Sequence, residues 1–127
     1  MIHKEASRRS FDEIDQALRD SAARHKFGII TVHDLQQTLK NKGVELDKRC
    51  LVYEVCNPHQ AKKVLDGDGS LSAALPCRIS VYDTSGGSRE LATILPTAMI
   101  GMFGQPALAE VAREVEDVVV AMMKESA

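Results

Sequence analysis

The chain has no excess of basic residues. Its 127 residues include 16 lysines and arginines against 18 aspartates and glutamates, so the formal net charge is −2. Proteins that bind nucleic acids or anionic lipids usually present a strongly basic face. The charge balance therefore predicts neither a nucleic-acid partner nor binding to an anionic membrane surface.

Long hydrophobic runs are also missing. Residues 1–10 contain no apolar core of the kind that a secretory signal requires. No later segment approaches the roughly 20 apolar residues that span a bilayer. We therefore expect a cytoplasmic protein that does not enter a membrane.

The cysteines do not form the pairs that a structural framework needs. Cys50, Cys56 and Cys77 are odd in number and contain no C-x-x-C spacing. This usage suits a reducing compartment better than a set of structural disulfides. The histidines that could join them around a soft metal show no recognised ligand spacing, so the sequence predicts no metal site.

Two glycine-containing segments imitate ligand loops without completing them. Asp66–Ser70 resembles the start of a calcium loop, but Leu71 stands where the turn glycine belongs and Cys77 where the bidentate glutamate belongs. Ser85–Ser88 lacks the lysine and helix of a phosphate loop and predicts a hairpin. The sequence therefore identifies no cofactor and leaves open whether the protein is an enzyme.

What remains is the composition of an ordinary globular domain, with 44% hydrophobic and 27% charged residues. A chain of 127 residues is long enough for one hydrophobic core, and no internal repeat divides it. We expect residues 1–127 to form a single domain.

The hydrophobic spacing alternates between strand and helix periods. Strands are predicted at 27–33, 50–56, 77–82 and 89–95, and the segment 2–7 could add a fifth. Helices are predicted after Ser10, Asp34, Asn57 and Pro106, the first with a capping box completed by Glu13. This order predicts a two-layer α+β domain in which helices pack on a mixed or antiparallel sheet of about four to five strands.

Two separated segments carry a family resemblance. Val52–Pro58 reads VYEVCNP and Leu75–Tyr82 reads LPCRISVY, and a glycine-containing hairpin and Pro96 follow them. This order resembles the prokaryotic family called domain of unknown function 302. The resemblance implies a compact α+β fold that associates as a homodimer, and it supplies no established activity, substrate or cofactor. Some members of the family carry glycine in place of Cys56 and an apolar residue in place of Cys77, so it implies no family-wide thiol chemistry.

The candidate site consists of Cys56, Asn57, His59 and Cys77. Cys56 ends a predicted strand directly before the helix cap Asn57, where free N–H groups and the helix dipole favour a thiolate. Cys77 starts another strand of the same sheet, so the two sulfurs could meet, and His59 could serve as a proton partner. The alternative is that both cysteines pack as small hydrophobes and that His59 faces water.

A second candidate surface is the apolar segment near the carboxyl end. It contains Met99, Ile100, Met102 and Phe103. Methionine adapts to irregular partners, so this patch predicts a dimer interface or the lid of an apolar pocket, with core packing under the last helix as the alternative.

These observations favour a homodimeric module that binds a small molecule or senses redox state through its thiols. An enzyme that uses a Cys56-centred thiol is one alternative. A purely structural or protein-interaction domain is the other.

Overall fold

The computed structural model describes residues 1–102, 104 and 106–127. Within this part, one five-stranded sheet contains β1 (Ile2–Ser7), β2 (Gly28–Asp34), β3 (Cys50–Cys56), β4 (Cys77–Asp83) and β5 (Arg89–Ile94). The strand order is β1-β5-β4-β3-β2, and every neighbouring pair is antiparallel. The predicted α+β class is confirmed, and the segment 2–7 is the fifth strand.

Helices occupy most of the connections between strands. They are α1 (Phe11–Arg24), α2 (Leu35–Asn41), α3 (Pro58–Gly67), α4 (Pro96–Met102) and α5 (Ala109–Ser126). Short 3₁₀ turns lie at Gly69–Ala74, Ser85–Gly87 and Pro106–Leu108. The sequence analysis placed the start of the last helix at Pro106, whereas Pro106 opens a 3₁₀ turn that leads into α5.

The start of α1 has a local cause. Ser10 accepts a hydrogen bond from the backbone N–H of Glu13, and the Glu13 carboxylate accepts one from the backbone N–H of Ser10. These two bonds satisfy donors that a helix terminus otherwise leaves free. The capping box predicted from the sequence is confirmed.

One face of the sheet carries the main core. Strand alternation places a row of buried side chains from β3 and β4 on this face, where α1 and α5 cover them. The row consists of Leu51, Tyr53, Val55, Cys77, Ile79 and Val81. On the opposite face, Ile2 and Ile94 are cross-strand partners and remain 57% and 48% exposed. The sheet is therefore buried on one side and keeps apolar side chains in solvent on the other.

Helix α5 contacts α1, α3, α4 and β1. Near its carboxyl end, Glu125 accepts hydrogen bonds from Ser21 Oγ at 3.0 Å and from His25 Nε2 at 2.9 Å, and it pairs with Arg24 at 3.4 Å. The hydrogen bond from His25 is the main reason that the pKa of Glu125 lies below its ordinary value. No described helix is long and apolar enough to cross a membrane.

Replacing the Glu125 carboxylate should change how the free energy of unfolding depends on pH in the acidic range. The folded-state pKa of Glu125 is lowered, so its ionised carboxylate adds to the free energy of unfolding above the unfolded-state pKa of about 4.3. This contribution is lost as the pH falls through the folded-state pKa. Urea unfolding across the acidic range should show a smaller loss of unfolding free energy for Glu125→Gln than for the wild type. Glu110→Gln, on an exposed part of the same helix, should keep the wild-type profile. A wild-type profile in Glu125→Gln would contradict this role.

Candidate functional site

The ends of two neighbouring strands bring Cys56 and Cys77 together. Val55 of β3 is the register partner of Cys77 of β4, and Cys56 is the next residue along β3. Both cysteines line the same cavity, which has a volume of about 30 Å³, is partly open to solvent and is lined mainly by apolar side chains, among them those of β3, α3 and α5. We call it the thiol cavity; its other polar lining residues are Asn57 and Gln60.

A second cavity adjoins the thiol cavity on the side of α4. It has a volume of about 40 Å³, and we call it the methionine cavity because Met99 lines it. Its lining contains no charged side chain and no hydrogen-bonding side chain apart from the thiol of Cys77. The two cavities share the lining residues Val64, Leu75, Cys77 and Val115. Cys77 therefore lies between two small apolar spaces.

The Asn57 side chain binds the backbone N–H groups at the start of α3, which the sequence predicts to stabilise a Cys56 thiolate. Its side-chain oxygen accepts hydrogen bonds from the backbone N–H groups of His59 at 3.0 Å and Gln60 at 3.1 Å. Its side-chain nitrogen donates to the backbone oxygen of Lys26 at 3.3 Å. These donors are therefore already paired and do not solvate the sulfur of Cys56.

The thiols are held in the neutral form. Burial raises the pKa of Cys56 above its ordinary value, the opposite direction to the lowering that the helix terminus predicts. Burial, and secondarily the nearby Cys56, raises the pKa of Cys77 to about 11. Burial also raises the pKa of Cys50, which lies at the opposite end of β3.

His59 is not brought into the thiol cavity. The residue is exposed and does not line that space, so this part of the predicted site remains at the surface. The three other histidines contact carboxylates, His3 that of Glu5, His25 that of Glu125 and His33 that of Glu54. Among the described residues, no group of three or more histidine, cysteine, aspartate or glutamate side chains could hold a metal ion.

The predicted apolar patch divides into two parts, and one of its residues, Phe103, lies outside the described residues. Met99 and Ile100 are half-buried in α4 and line the methionine cavity. Ile100 also packs against a small second core formed by Val64, Leu71 and Leu108. Met102 is 73% exposed and lines neither cavity.

The sequence analysis missed Gln60. Its side-chain nitrogen donates to Glu114 Oε2 of α5 at 3.2 Å, and its side-chain oxygen Oε1 is buried with no hydrogen-bond partner among the described residues. A single glutamine belongs to no motif. The available signal was its position four residues before Val64, which places both on the apolar face of α3.

A model of the family described as domain of unknown function DUF302 matches residues 2–126. The chain belongs to this family. The crystal structure of an uncharacterised conserved DUF302 protein from Bacillus stearothermophilus is similar over 99% of this chain and 98% of that chain, with 26% identity and a TM-score of 0.93. No curated protein matches the sequence. The comparisons confirm the resemblance and the fold of this DUF302 domain, and they attach no activity to it.

Larger crevices of the DUF302 domain lie away from the cysteines. One of about 260 Å³ runs over the exposed sheet face beside Ile2 and Arg78, and another of about 260 Å³ lies between α4 and α5. Neither is lined by a cysteine. The thiol cavity is smaller, but it alone of these spaces combines both clustered thiols with an unpaired buried acceptor.

Alkylation should show that the folded domain suppresses thiol reactivity. Because the thiolate is the reacting form, raised pKa values predict slower iodoacetamide labelling near neutral pH than in the urea-unfolded protein, with Cys77 slowest because it is only 8% exposed. Peptide mass spectrometry follows each cysteine separately across pH. Labelling of Cys56 that is faster in the folded than in the unfolded protein would show that its pKa is lowered instead.

Proposed function

We propose that this DUF302 domain binds a small apolar molecule in the joined thiol and methionine cavities. The observation that carries the proposal is the position of Cys77 between two apolar spaces, with Asn57 and Gln60 at one end. Ligand sites are typically concave and mostly apolar, with a few placed polar groups that fix orientation. The lining side chains match that description in chemical character, and the volumes of about 30 Å³ and 40 Å³ restrict the guest to one of a few heavy atoms.

The chemistry of the thiols supports binding more than nucleophilic catalysis. A neutral cysteine acts as a small, polarizable hydrophobe, which suits contact with an apolar ligand. A catalytic thiol needs a lowered pKa or an adjacent base. Here the pKa values of Cys56 and Cys77 are raised, and the exposed His59 does not line the cavity.

Redox sensing is the second candidate function. It is favoured by the electrostatic influence of Cys56 on Cys77 and by their shared cavity. A peroxide would take two electrons and two protons from the pair, forming one S–S bond, while hydrogen peroxide is reduced to two water molecules or an organic hydroperoxide to one alcohol and one water. The three cysteines are free thiols, and we propose a reducing, cytoplasmic compartment, in which they stay reduced until an oxidant reaches them.

A homodimer is the assembly we propose for this domain. Support comes from Met102 at the carboxyl end of α4, a large apolar side chain that is 73% exposed. A symmetric pair of such patches would bury apolar surface on both copies.

Narrowing the thiol cavity should weaken ligand binding. Ala61 lines this cavity from α3, and Ala61→Leu would fill part of it. Using dissolved xenon as the probe, chemical-shift titration should detect binding at the amides of α3 in the wild type, with affinity reduced at least about tenfold in Ala61→Leu. Ala23→Leu, at an exposed site of α1, should bind like the wild type. No response at α3 in the wild type would count against the binding function.

Introducing a negative charge at Met102 of α4 should disrupt the proposed homodimer. Light scattering of the wild type should give the mass of a dimer, and Met102→Asp should shift it toward the monomer because a carboxylate would be buried without a partner. Leu65→Asp, at another exposed apolar position, should leave the dimer intact. A monomer at high protein concentration, or a dimer unaffected by Met102→Asp, would refute this interface.

A further inference from the structure

The charged side chains on the open face of the sheet, the side opposite the main core, are paired with one exception. Lys4 lies 3.9 Å from Glu90, and Glu54 is hydrogen-bonded to His33. Arg78 also belongs to this face, because it alternates with buried neighbours along β4. Its guanidinium has no hydrogen bond or ion pair within the part of the chain that the structure describes.

Two open crevices meet at this arginine. The larger has a volume of about 260 Å³ and extends over the open face past Ile2 and Val52. The smaller has a volume of about 150 Å³ and is bordered by Leu75. Arg78 and Ile94 line both crevices, and most of the other lining residues are apolar. An unpaired cation therefore lies between two spaces whose walls are mainly apolar.

The backbone beneath Arg78 is held in place by the neighbouring strand. The buried Thr93 of β5 donates a hydrogen bond from its hydroxyl group to the backbone oxygen of Arg78 at 2.7 Å. Glu54 is the register partner of Arg78 on β3, and β3 and β5 lie on opposite sides of β4. An anion that pairs with Arg78 on the β5 side therefore lies away from the strand that carries Glu54.

The side chains around Arg78 match a carboxylate that carries an apolar chain. A guanidinium can donate two parallel hydrogen bonds to a carboxylate. Ile2 and Ile94 are exposed cross-strand partners, so an aliphatic chain laid over them removes apolar surface from water. Among the described lining residues of both crevices, Arg78 alone is charged, which favours a single negative charge over a doubly charged phosphate.

We propose that the open face binds a small aliphatic carboxylate, whose charged group pairs with Arg78 and whose chain lies along Ile94 and Ile2 in the larger crevice. The volume of this crevice is near the lower end for ligand pockets, roughly 300 Å³, so the chain is short. The site is separate from the thiol cavity and does not depend on the apolar binding proposed there.

The test compares three probes on the full chain by amide chemical-shift titration. Hexanoate has both the charge and the chain, hexanamide has the chain without the charge, and acetate has the charge without the chain. In the wild type, hexanoate should shift the amides of β4 and β5 and bind at least about fivefold more tightly than either of the other probes.

Two substitutions separate the contributions of the charge and the chain. Arg78→Gln should reduce the affinity for hexanoate to that for hexanamide. Ile94→Ser should weaken hexanoate binding at least about threefold and leave acetate binding unchanged. Arg8→Gln removes another exposed arginine, beyond the end of β1, and should bind hexanoate like the wild type.

The outcomes also distinguish this site from the thiol cavity. Ala61→Leu narrows the thiol cavity and should leave hexanoate binding unchanged, because Ala61 lines neither of the crevices at Arg78. Equal affinity of the wild type for hexanoate and hexanamide, or unchanged hexanoate binding in Arg78→Gln, would overturn the proposal. So would the absence of hexanoate binding, or a response confined to the amides of α3.

Discussion

Helix α5 must close one face of an antiparallel sheet and also hold the helices beside it. Its carboxyl-terminal half fills the main core, where Val119, Met122 and Met123 are fully buried. Its amino-terminal half presents Val111 and Val115 to the cavities beside α3 and α4. The carboxyl-terminal half of α5 therefore contacts the main core, and its amino-terminal half contacts the two cavities. The apolar cavities lie where the main core gives way to the smaller one.

The character of the cysteines follows from that arrangement. Cys77 continues the buried row of Ile79 and Val81 on β4, but its smaller side chain stands at the strand end, where both cavities begin. Enclosure by apolar groups removes water from the sulfur and disfavours the charged form. The N-terminus of α3 does not offset this rise in the thiol pKa, because the Asn57 side-chain oxygen already accepts hydrogen bonds from the N–H groups of His59 and Gln60. Neutral thiols in an apolar wall are suited to contact an apolar ligand.

Local patterns in the sequence predict much of this fold but less of the site. The capping box at Ser10 and the alternation in β4 depend on neighbouring residues, and both are confirmed. The sequence also predicts the cap at Asn57. It does not show that the Asn57 side chain takes the backbone N–H donors that would otherwise stabilise a thiolate at Cys56. Gln60 could not be recognised, because its orientation depends on Glu114, 54 residues away. The edge position of β1 depends on pairing with β5 across most of the chain.

The central claim is that two neighbouring apolar cavities share Cys77 in their walls and can accept an apolar guest. Xenon binds apolar cavities without needing polar groups, so diffraction from crystals exposed to xenon gas tests the claim directly. The account predicts xenon density among Val64, Leu75, Cys77 and Val115, the residues that both cavities share. Xenon found only in the crevices on the exposed sheet face, with none beside Cys77, would contradict it.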